Sequence, residues 1–343
     1  MGSERAAHLR IFVFGLFFIF GGITSLNDVV IPKLRSLFTL SYGKVMLVQS
    51  AFFVAYFLVS IPAAKIVQRI GYMRTAVVGL ISMAVGCLLF IPASNSGLFI
   101  AFLLALFVLA AGITIVQVVT NPLISMLGNP ATAHSRLTFA QAFNSLGTTI
   151  FPYVGSILIL GSLATVDPAK LTAAALSSFR TEASQVIVHS YMGLAAALVI
   201  IAVSVWSQRR LLVEPESESP SFRHALNLIR RKRFGFGAAC IFLYVGAEVA
   251  IGSLIVNYLM QANVLGLDAQ DAGKHVPYYW GGAMIGRFIG AYLLKVFPPG
   301  KVLASAASGV VVLLLVSAAT VGLVSGYSLL VIGLCNSIMF PTI

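Results

Sequence analysis

Charged residues are scarce in this sequence: Lys, Arg, Asp and Glu make up 9% of its 343 residues, whereas 59% are hydrophobic. A water-soluble domain typically needs about 25% charged residues to cover its surface. This composition therefore excludes a water-soluble protein. Apolar runs recur along the whole chain, each near the ~20 residues with which a helix crosses a ~30 Å hydrocarbon core. The sequence therefore predicts an all-α polytopic membrane protein embedded in a lipid bilayer.

Reactive and metal-binding side chains are also few. The three cysteines, Cys87, Cys240 and Cys335, all lie within apolar segments, which favours neither a disulfide framework nor a metal site. The five histidines show no metal-ligand spacing, and the sequence has no nucleophile–base constellation and no nucleotide-binding loop. We therefore expect a protein that is not an enzyme and that needs neither a metal nor a cofactor.

The apolar runs predict ten membrane-spanning helices. Their approximate bounds are 11–31, 45–66, 74–92, 98–121, 137–160, 185–206, 234–260, 276–296, 301–323 and 327–343. Between the sixth and the seventh lies "SQRRLLVEPESESPSFRHALNLIRRKRF", whose Pro, Ser and Glu content is typical of a linker. We predict an N-terminal six-helix bundle over residues 1–207, a cytoplasmic linker over 208–233 and a C-terminal bundle over 234–343.

The sequence stops at "CNSIMFPTI", within an apolar run, so four predicted spans follow the linker and six precede it. Two-bundle transporters are built from repeated halves, which should contain equal numbers of helices. We therefore expect this sequence to be C-terminally truncated, with two helices missing. A natural ten-span protein is the alternative.

The basic residues are distributed unevenly, and the formal net charge is +12. With the N-terminus in the cytoplasm, 15 of the 22 Lys and Arg residues fall on the cytoplasmic side and six fall outside. Cytoplasmic loops of membrane proteins are enriched in Lys and Arg, so this asymmetry predicts a cytoplasmic N-terminus. Topology explains the basic surplus, and no nucleic-acid partner is expected.

Three ionisable side chains fall well inside predicted spans, namely Asp28, Glu248 and Arg287. Such groups are costly in hydrocarbon unless they are paired or face a wet cavity, and they usually mark a path for a substrate or an ion. Asp28 is either an interfacial residue near the end of its helix or a carboxylate that binds a proton. Glu248 is either the partner of Arg287 in an ion pair or an acceptor for substrate hydroxyls.

Amide side chains form a second polar set within the predicted spans. Gln141 and Asn144 are three residues apart and therefore share one helix face, and Gln117 lies one turn before the helix-loosening Pro122. Amides can simply join membrane helices, but several of them together favour a surface for a carbohydrate-like substrate. The candidate substrate-binding residues are Asn27, Gln117, Gln141, Asn144, Glu248, Asn257 and Asn336.

Several motifs carry a family resemblance. The segments "LNDVVIPKL", "TNPLISMLG", "RLTFAQAFNSLGT", "YVGAEVAIGS", "GRFIG" and "NSIMFPT" run from the first predicted span to the tenth. The loop "AAKIVQRIGYMRT" keeps Arg69, Gly71 and Arg74 of a cytoplasmic motif but has Ala64 and Gln68 in place of its first glycine and its aspartate. Together these segments resemble the major facilitator superfamily and, within it, the fucose–galactose–glucose:proton symporter family.

The resemblance implies a fold of two six-helix bundles that open alternately inward and outward around a hexose. Asp28 matches the aspartate thought to carry the coupling proton, while Gln141 and Asn144 match a polar pair of the fifth span. Arg69, Gly71 and Arg74, together with Arg287, are given structural or gating roles. Gln117 stands where the fucose permease has a glutamate and cannot titrate, so the coupling ion is left open between H⁺ and Na⁺.

The function expected from the residues and the resemblance together is import of a glucose- or galactose-like hexose by cation symport, with the proton as the first choice of ion. We expect a monomer in the bacterial inner membrane. An exporter of amphipathic small molecules on the same fold is the main alternative, and its cavity would be lined by aromatic and aliphatic side chains with few amides. A sensor that binds sugar without transporting it is a further alternative.

Overall fold

The structure is a computed structural model, and it describes residues 3–155, 158, 173–209, 227–228, 230–267 and 269–343. These residues are almost entirely helical. The helices before residue 156 are α1 (Ser3–Phe38), α2 (Tyr42–Val45), α3 (Leu47–Ile70), α4 (Tyr72–Leu88), α5 (Phe90–Ser96), α6 (Phe99–Met126) and α7 (Ala133–Gly155). The later helices are α8 (Ala173–Gln208), α9 (Lys232–Leu259), α10 (Ala269–Val296), α11 (Pro299–Ala319), α12 (Gly322–Asn336) and α13 (Met339–Thr342).

Eight stretches of the described residues are long and apolar enough to cross a membrane, and they correspond to all the predicted spans except 137–160 and 276–296. The helix α7 occupies the first of these segments as far as Gly155, and the helix α10 occupies the second. Both helices carry polar residues in their middle, such as Asn144 and Arg287, and these residues lower their mean hydropathy. The protein is a multi-pass membrane protein, and the crossing of the membrane by α7 and α10 stays a prediction.

The chain divides into two compact units. Unit 1 comprises Met1–Leu127 and Leu146–Pro215, and unit 2 comprises Gly128–Ser145 and Glu216–Ile343. The helix α7 is therefore shared, because its first half packs with unit 2 and its second half with unit 1. The predicted bundle boundaries at residues 207 and 234 stay a prediction. Residues 128–145 fall within the predicted N-terminal bundle, but they pack with unit 2.

The turn between α3 and α4 depends on Gly71. This residue ends one helix and begins the next with φ of 85°, a backbone conformation that favours glycine. Its N–H donates to the carbonyl of Val67 at 2.8 Å, and its own carbonyl accepts from the Thr75 hydroxyl at 2.6 Å. Gly71 is buried, whereas Arg69 and Arg74 beside it are exposed. The gating roles of these three residues stay a prediction.

Close contacts at glycine fix the helices that carry the polar side chains. In unit 1, a Cβ on Gly86 of α4 would come within 2.6 Å of the Leu109 Cα, and one on Gly112 of α6 within 2.5 Å of the Met83 nitrogen. In unit 2, a Cβ on Gly286 of α10 would collide with the main-chain oxygen of Leu334 on α12. Small residues allow membrane helices to approach closely, so these pairs of helices are held in fixed register.

Candidate functional site

Polar groups of unit 2, namely six side chains and the main-chain oxygen of Gln141, form one connected set, called here the unit 2 network. Its members come from α7, α9, α10 and α12, and they are Gln141, Ser145, Tyr244, Glu248, Tyr279, Arg287 and Asn336. Three of these residues, Gln141, Glu248 and Asn336, were expected to bind substrate, and Arg287 was expected to have a structural or gating role. The fold thus brings four of the sequence-predicted site residues into one network.

Arg287 of α10 joins the network to α7. Its Nη1 donates to the hydroxyl of Ser145 and, at 3.3 Å, to the main-chain oxygen of Gln141. Its Nε is buried and has no hydrogen-bond partner among the described residues. Arginine stays charged in proteins, so this cation depends on the polar groups around it.

Glu248 of α9 supplies the opposite charge. Its carboxylate forms a hydrogen bond with the hydroxyl of Tyr244, which lies one turn earlier on the same helix, and is attracted by the charge of Arg287. The buried Tyr244 hydroxyl shares its single proton between this carboxylate and the main-chain oxygen of Asn336, which lies 3.2 Å from the hydroxyl. This geometry is compatible with both interpretations of Glu248, as the counter-charge of Arg287 and as an acceptor for substrate hydroxyls.

Asn336 ties α12 to α10. The residue is 4% exposed, and its Nδ2 donates to the hydroxyl of Tyr279 at 3.0 Å. Because Tyr244 also contacts the Asn336 carbonyl, the three helices α9, α10 and α12 meet at one residue. The network therefore offers a carboxylate, a guanidinium, phenol hydroxyls and the Asn336 amide, which can donate to and accept from a polyhydroxylated ligand.

A second polar set, called here the unit 1 cluster, consists of Thr24, Asn27, Gln49, Tyr56 and Gln117. The Gln117 Nε2 donates to the Tyr56 hydroxyl at 3.0 Å, and a further hydrogen bond joins Tyr56 to Thr24. The Thr24 hydroxyl donates its own proton to the Phe20 carbonyl at 2.7 Å, so Tyr56 must donate to Thr24. Tyr56 is thereby held between α1 and α6.

In the side-chain amide of Asn27, the nitrogen has a hydrogen-bond partner and the oxygen has none among the described residues. The residue is 2% exposed, and its Nδ2 donates to the Gln49 Oε1 at 2.9 Å. Its Oδ1 is buried and has no hydrogen-bond partner among the described residues. A buried acceptor without a donor is unfavourable, so this oxygen is available to a ligand or to a rearranged side chain.

A cavity of about 320 Å³ adjoins the unit 1 cluster. It lies between α3 and α6 and is lined by Tyr56, Ser60, Thr114, Gln117, Val118, Asn121 and Pro122. Five of these seven residues carry a hydroxyl or an amide, and the other two are apolar. Binding sites for small molecules commonly combine apolar walls with a few polar groups that fix the orientation of the ligand.

Asp28 belongs to α1 and follows Asn27 directly, but its side chain lies outside the described part of the structure. Asn144 is half-buried on α7, one turn after Gln141. Asn257 of α9 is exposed and does not belong to the unit 2 network, whereas its neighbour Tyr258 bonds to the hydroxyls of Ser317 and Ser325 at 2.9 and 2.8 Å. The substrate-binding role of Asn257 stays a prediction.

Six members of the two sets were not expected from the sequence: Thr24, Gln49, Tyr56, Ser145, Tyr244 and Tyr279. One signal was available for Tyr244, since it lies four residues before Glu248 and must share its helix face. No such signal marks Tyr56, because its partner Gln117 is 61 residues away. In the described residues, no group of three or more His, Cys, Asp and Glu could hold a metal ion.

Comparison with known proteins identifies the family. Residues 13–343 match the Major Facilitator Superfamily. The chain belongs to the major facilitator superfamily. Its match extends over nearly the whole length, which confirms the resemblance drawn from the motifs. It is thus a member of a family of transporters and not of enzymes.

Individual relatives define the branch of the superfamily. The chain is 46% identical over 328 residues to the "Glucose/galactose transporter" of Brucella abortus, a match that covers 96% of this chain and 77% of that protein. It is 31% identical to the "L-fucose-proton symporter" of Escherichia coli, with 96% and 76% covered. A crystal structure of the superfamily transporter FucP in the outward conformation matches with a TM-score of 0.88 and 29% identity, covering 98% of this chain and 83% of FucP.

Proposed function

We propose that this protein is a secondary active transporter that imports a glucose- or galactose-like hexose by symport with a cation, with the proton as the first choice. Relatives named as glucose/galactose transporters and L-fucose–proton symporters support the substrate class, because they match the chain over almost its whole length. The proposal places the protein in the bacterial inner membrane as a monomer with a cytoplasmic N-terminus.

The observation that carries the proposal is the cavity of unit 1, whose apolar walls carry several hydroxyls and amides. A hexose presents hydroxyls in several directions, and the cavity is bordered by hydroxyls and amides that can both donate and accept. The Gln117–Tyr56 hydrogen bond holds two of these groups in place before a ligand arrives. A cavity for amphipathic compounds would need fewer fixed donors and acceptors, so the lining favours a sugar over the exporter alternative.

Asp28 is the proposed ion-coupling residue. It follows the buried Asn27 and comes four residues after Thr24, and both of these belong to the unit 1 cluster. A carboxylate in an apolar environment favours the protonated form, so a change of environment during transport can load and release a proton. Coupling requires that the protonated form favour the conformation that takes up sugar, which is a shift of population between two states.

Gln141, Asn144, Glu248, Asn257 and Asn336 are proposed as further sugar ligands. Gln141, Glu248 and Asn336 are supported by their membership of the unit 2 network, where donors and acceptors lie close together. Asn144 is supported by its position one helical turn from Gln141. Asn257 has the weakest support, because it is exposed and outside that network.

The test is uptake of labelled glucose and galactose into proteoliposomes under separate proton and sodium gradients. We expect accumulation above equilibrium with the inward proton gradient and none with the sodium gradient. Accumulation driven by sodium alone would overturn the choice of ion but not the sugar. Absence of hexose uptake under both gradients, together with thermal stabilisation by hydrophobic cations, would overturn the sugar and favour the exporter.

A further inference from the structure

The first half of α7 is attached to unit 2 by side chains along one stripe of the helix. The His134 Nδ1 donates to the Pro341 carbonyl at 2.8 Å, and the Ser135 hydroxyl donates to the Ala291 carbonyl at 2.6 Å. Two and three turns further along, Gln141 and Ser145 accept from Arg287. Residues at this spacing share one helix face, so the contacts form a continuous seam.

The second half of α7 is attached to α1 in unit 1. A Cβ on Gly147 would collide with the Phe18 carbonyl, and one on Gly22 of α1 would collide with the ring of Phe151. The same helix is therefore packed against two units, each through its own half. In a protein that alternates between two conformations, one of these attachments must break and re-form.

Among the described contacts of this seam, the one through Arg287 carries a formal charge and the others are between neutral groups. Its described hydrogen bonds go to neutral acceptors on α7, and its buried Nε–H has no partner among the described residues. If the first half of α7 moved away, the guanidinium would lose both acceptors while remaining charged. A buried charge without a partner is strongly unfavourable, so Arg287 must then find another acceptor.

Glu248 is the candidate acceptor. Its carboxylate already feels the charge of Arg287, yet within the described part of the chain its hydrogen-bond partner is the neutral Tyr244. Asp271 is the other acid whose side chain is described, and it lies 16 residues before Arg287 on the same helix, about 24 Å away at 1.5 Å per residue. An Arg–carboxylate pair is stronger than bonds to neutral acceptors and would also satisfy Nε.

We propose that Arg287 exchanges partners during the transport cycle: it holds α7 through Ser145 and Gln141 in the conformation seen here, and it pairs with Glu248 when α7 is released. This exchange of partners rests on the proposed function, because it is a contact that holds one of the two conformations of alternating access. It also connects this contact to the sugar. Arg287 bonds to the main chain of Gln141, and Gln141 is a proposed sugar ligand. Arg287 and Glu248 thus set which conformation is populated.

Hydrogen exchange of the backbone amides of residues 133–145, measured by mass spectrometry on protein in nanodiscs without sugar, tests this exchange of partners. Ser145→Ala removes an acceptor for Arg287 on α7, so we expect amide exchange there to rise about tenfold, as for the loss of a hydrogen bond to a charged group. Glu248→Gln removes the alternative partner, so exchange should fall below that of the unaltered protein. The double variant should lie between the two.

A matched control is Ser204→Ala on α8, whose exposed hydroxyl bonds only within its own helix, to Ile200 at 3.0 Å. It should leave exchange of residues 133–145 unchanged. Should Glu248→Gln fail to fold, Glu248→Asp keeps the charge with a shorter reach and should lower exchange by a smaller factor.

An increase of exchange in both Glu248 variants, or no change in Ser145→Ala, would overturn the proposal. The measurement needs no transport, so its outcome is independent of whether a hexose is carried. Failure of hexose uptake would overturn the proposed function, but the hydrogen-exchange rates of these variants could still be compared. The opposite order of hydrogen-exchange rates would overturn the partner exchange of Arg287 even if hexose uptake were intact.

Discussion

Unit 1 and unit 2 both bury polar side chains among apolar helices, but the chemistry of the two sets differs. The described side chains of the unit 1 cluster are hydroxyls and amides, and a cavity of about 320 Å³ lies beside them. The unit 2 network contains a guanidinium and a carboxylate, and its groups bond chiefly to one another across four helices.

This difference separates two tasks. A neutral hydrogen-bonding group can exchange its partner for a sugar hydroxyl at little net cost, because one bond replaces another of similar strength. A buried charge cannot be left without a partner, so a charged network changes only between well-defined arrangements. We therefore assign recognition of the sugar hydroxyls to the neutral groups of both units and control of conformation mainly to the charged groups of unit 2.

The largest effect is expected in unit 2. Arg287→Met removes both the charge that attracts the Glu248 carboxylate and the donor to Ser145 and Gln141, which together should lower the free energy of unfolding by about 3 kcal/mol. The double variant Arg287→Met with Glu248→Gln removes both charges and should regain the part of this loss that comes from the uncompensated carboxylate. Thermal unfolding in detergent micelles measures both variants. A double variant no more stable than the single one would show that the two charges do not depend on each other.

An intermediate effect is expected in unit 1. Gln117→Leu removes the donor to Tyr56 and a polar group of the cavity, at a cost of about 1–3 kcal/mol in hexose binding. The Kd for the hexose should therefore rise by roughly 5- to 150-fold, with little change in unfolding temperature. Isothermal titration of the purified protein provides the measurement.

Val118→Leu is the matched control for this substitution, since Val118 lines the same cavity without a hydrogen-bonding group. It should change the Kd far less than Gln117→Leu does. Equal losses in the two variants would show that the shape of the cavity, and not the Gln117 amide, determines affinity.

The smallest effect is expected at the neutral edge of the unit 2 network. Tyr279→Phe removes the hydroxyl that accepts from Asn336 while keeping the ring, and it should lower the free energy of unfolding by about 1 kcal/mol. Tyr278→Phe is the control, because Tyr278 is 60% exposed. A loss from Tyr279→Phe as large as that from Arg287→Met would erase the distinction between charged and neutral parts of the network.

Much of the unit 2 network could be predicted from the sequence because charged and amide groups are rare in an apolar chain. Glu248, Arg287 and Asn336 stand out in their spans, and groups of this kind gather where they can satisfy one another. Tyr279 escaped prediction because an aromatic residue with a hydroxyl is equally at home at a membrane interface. Its contact with Asn336, 57 residues away, is a property of the fold.

The packing of α7 could not be predicted from the sequence. Its hydrophobic pattern is the same whether it packs with the helices before it or with those after it, and chain order favoured the former. Contacts such as that of Ser135 with Ala291, 156 residues away, decide the packing of its first half. The unit 1 cavity escaped for a similar reason, since Tyr56 and Gln117 meet only because α3 lies against α6.

The account depends most on Asp28 as the group that couples the ion to the sugar. The direct measurement compares Asp28→Asn with the unaltered protein in proteoliposomes, in sugar counterflow and in uptake driven by an ion gradient. We predict that the variant retains counterflow of the hexose but no longer accumulates it above equilibrium, because an amide cannot bind and release the proton. Undiminished accumulation by Asp28→Asn, under either a proton or a sodium gradient, would contradict the account.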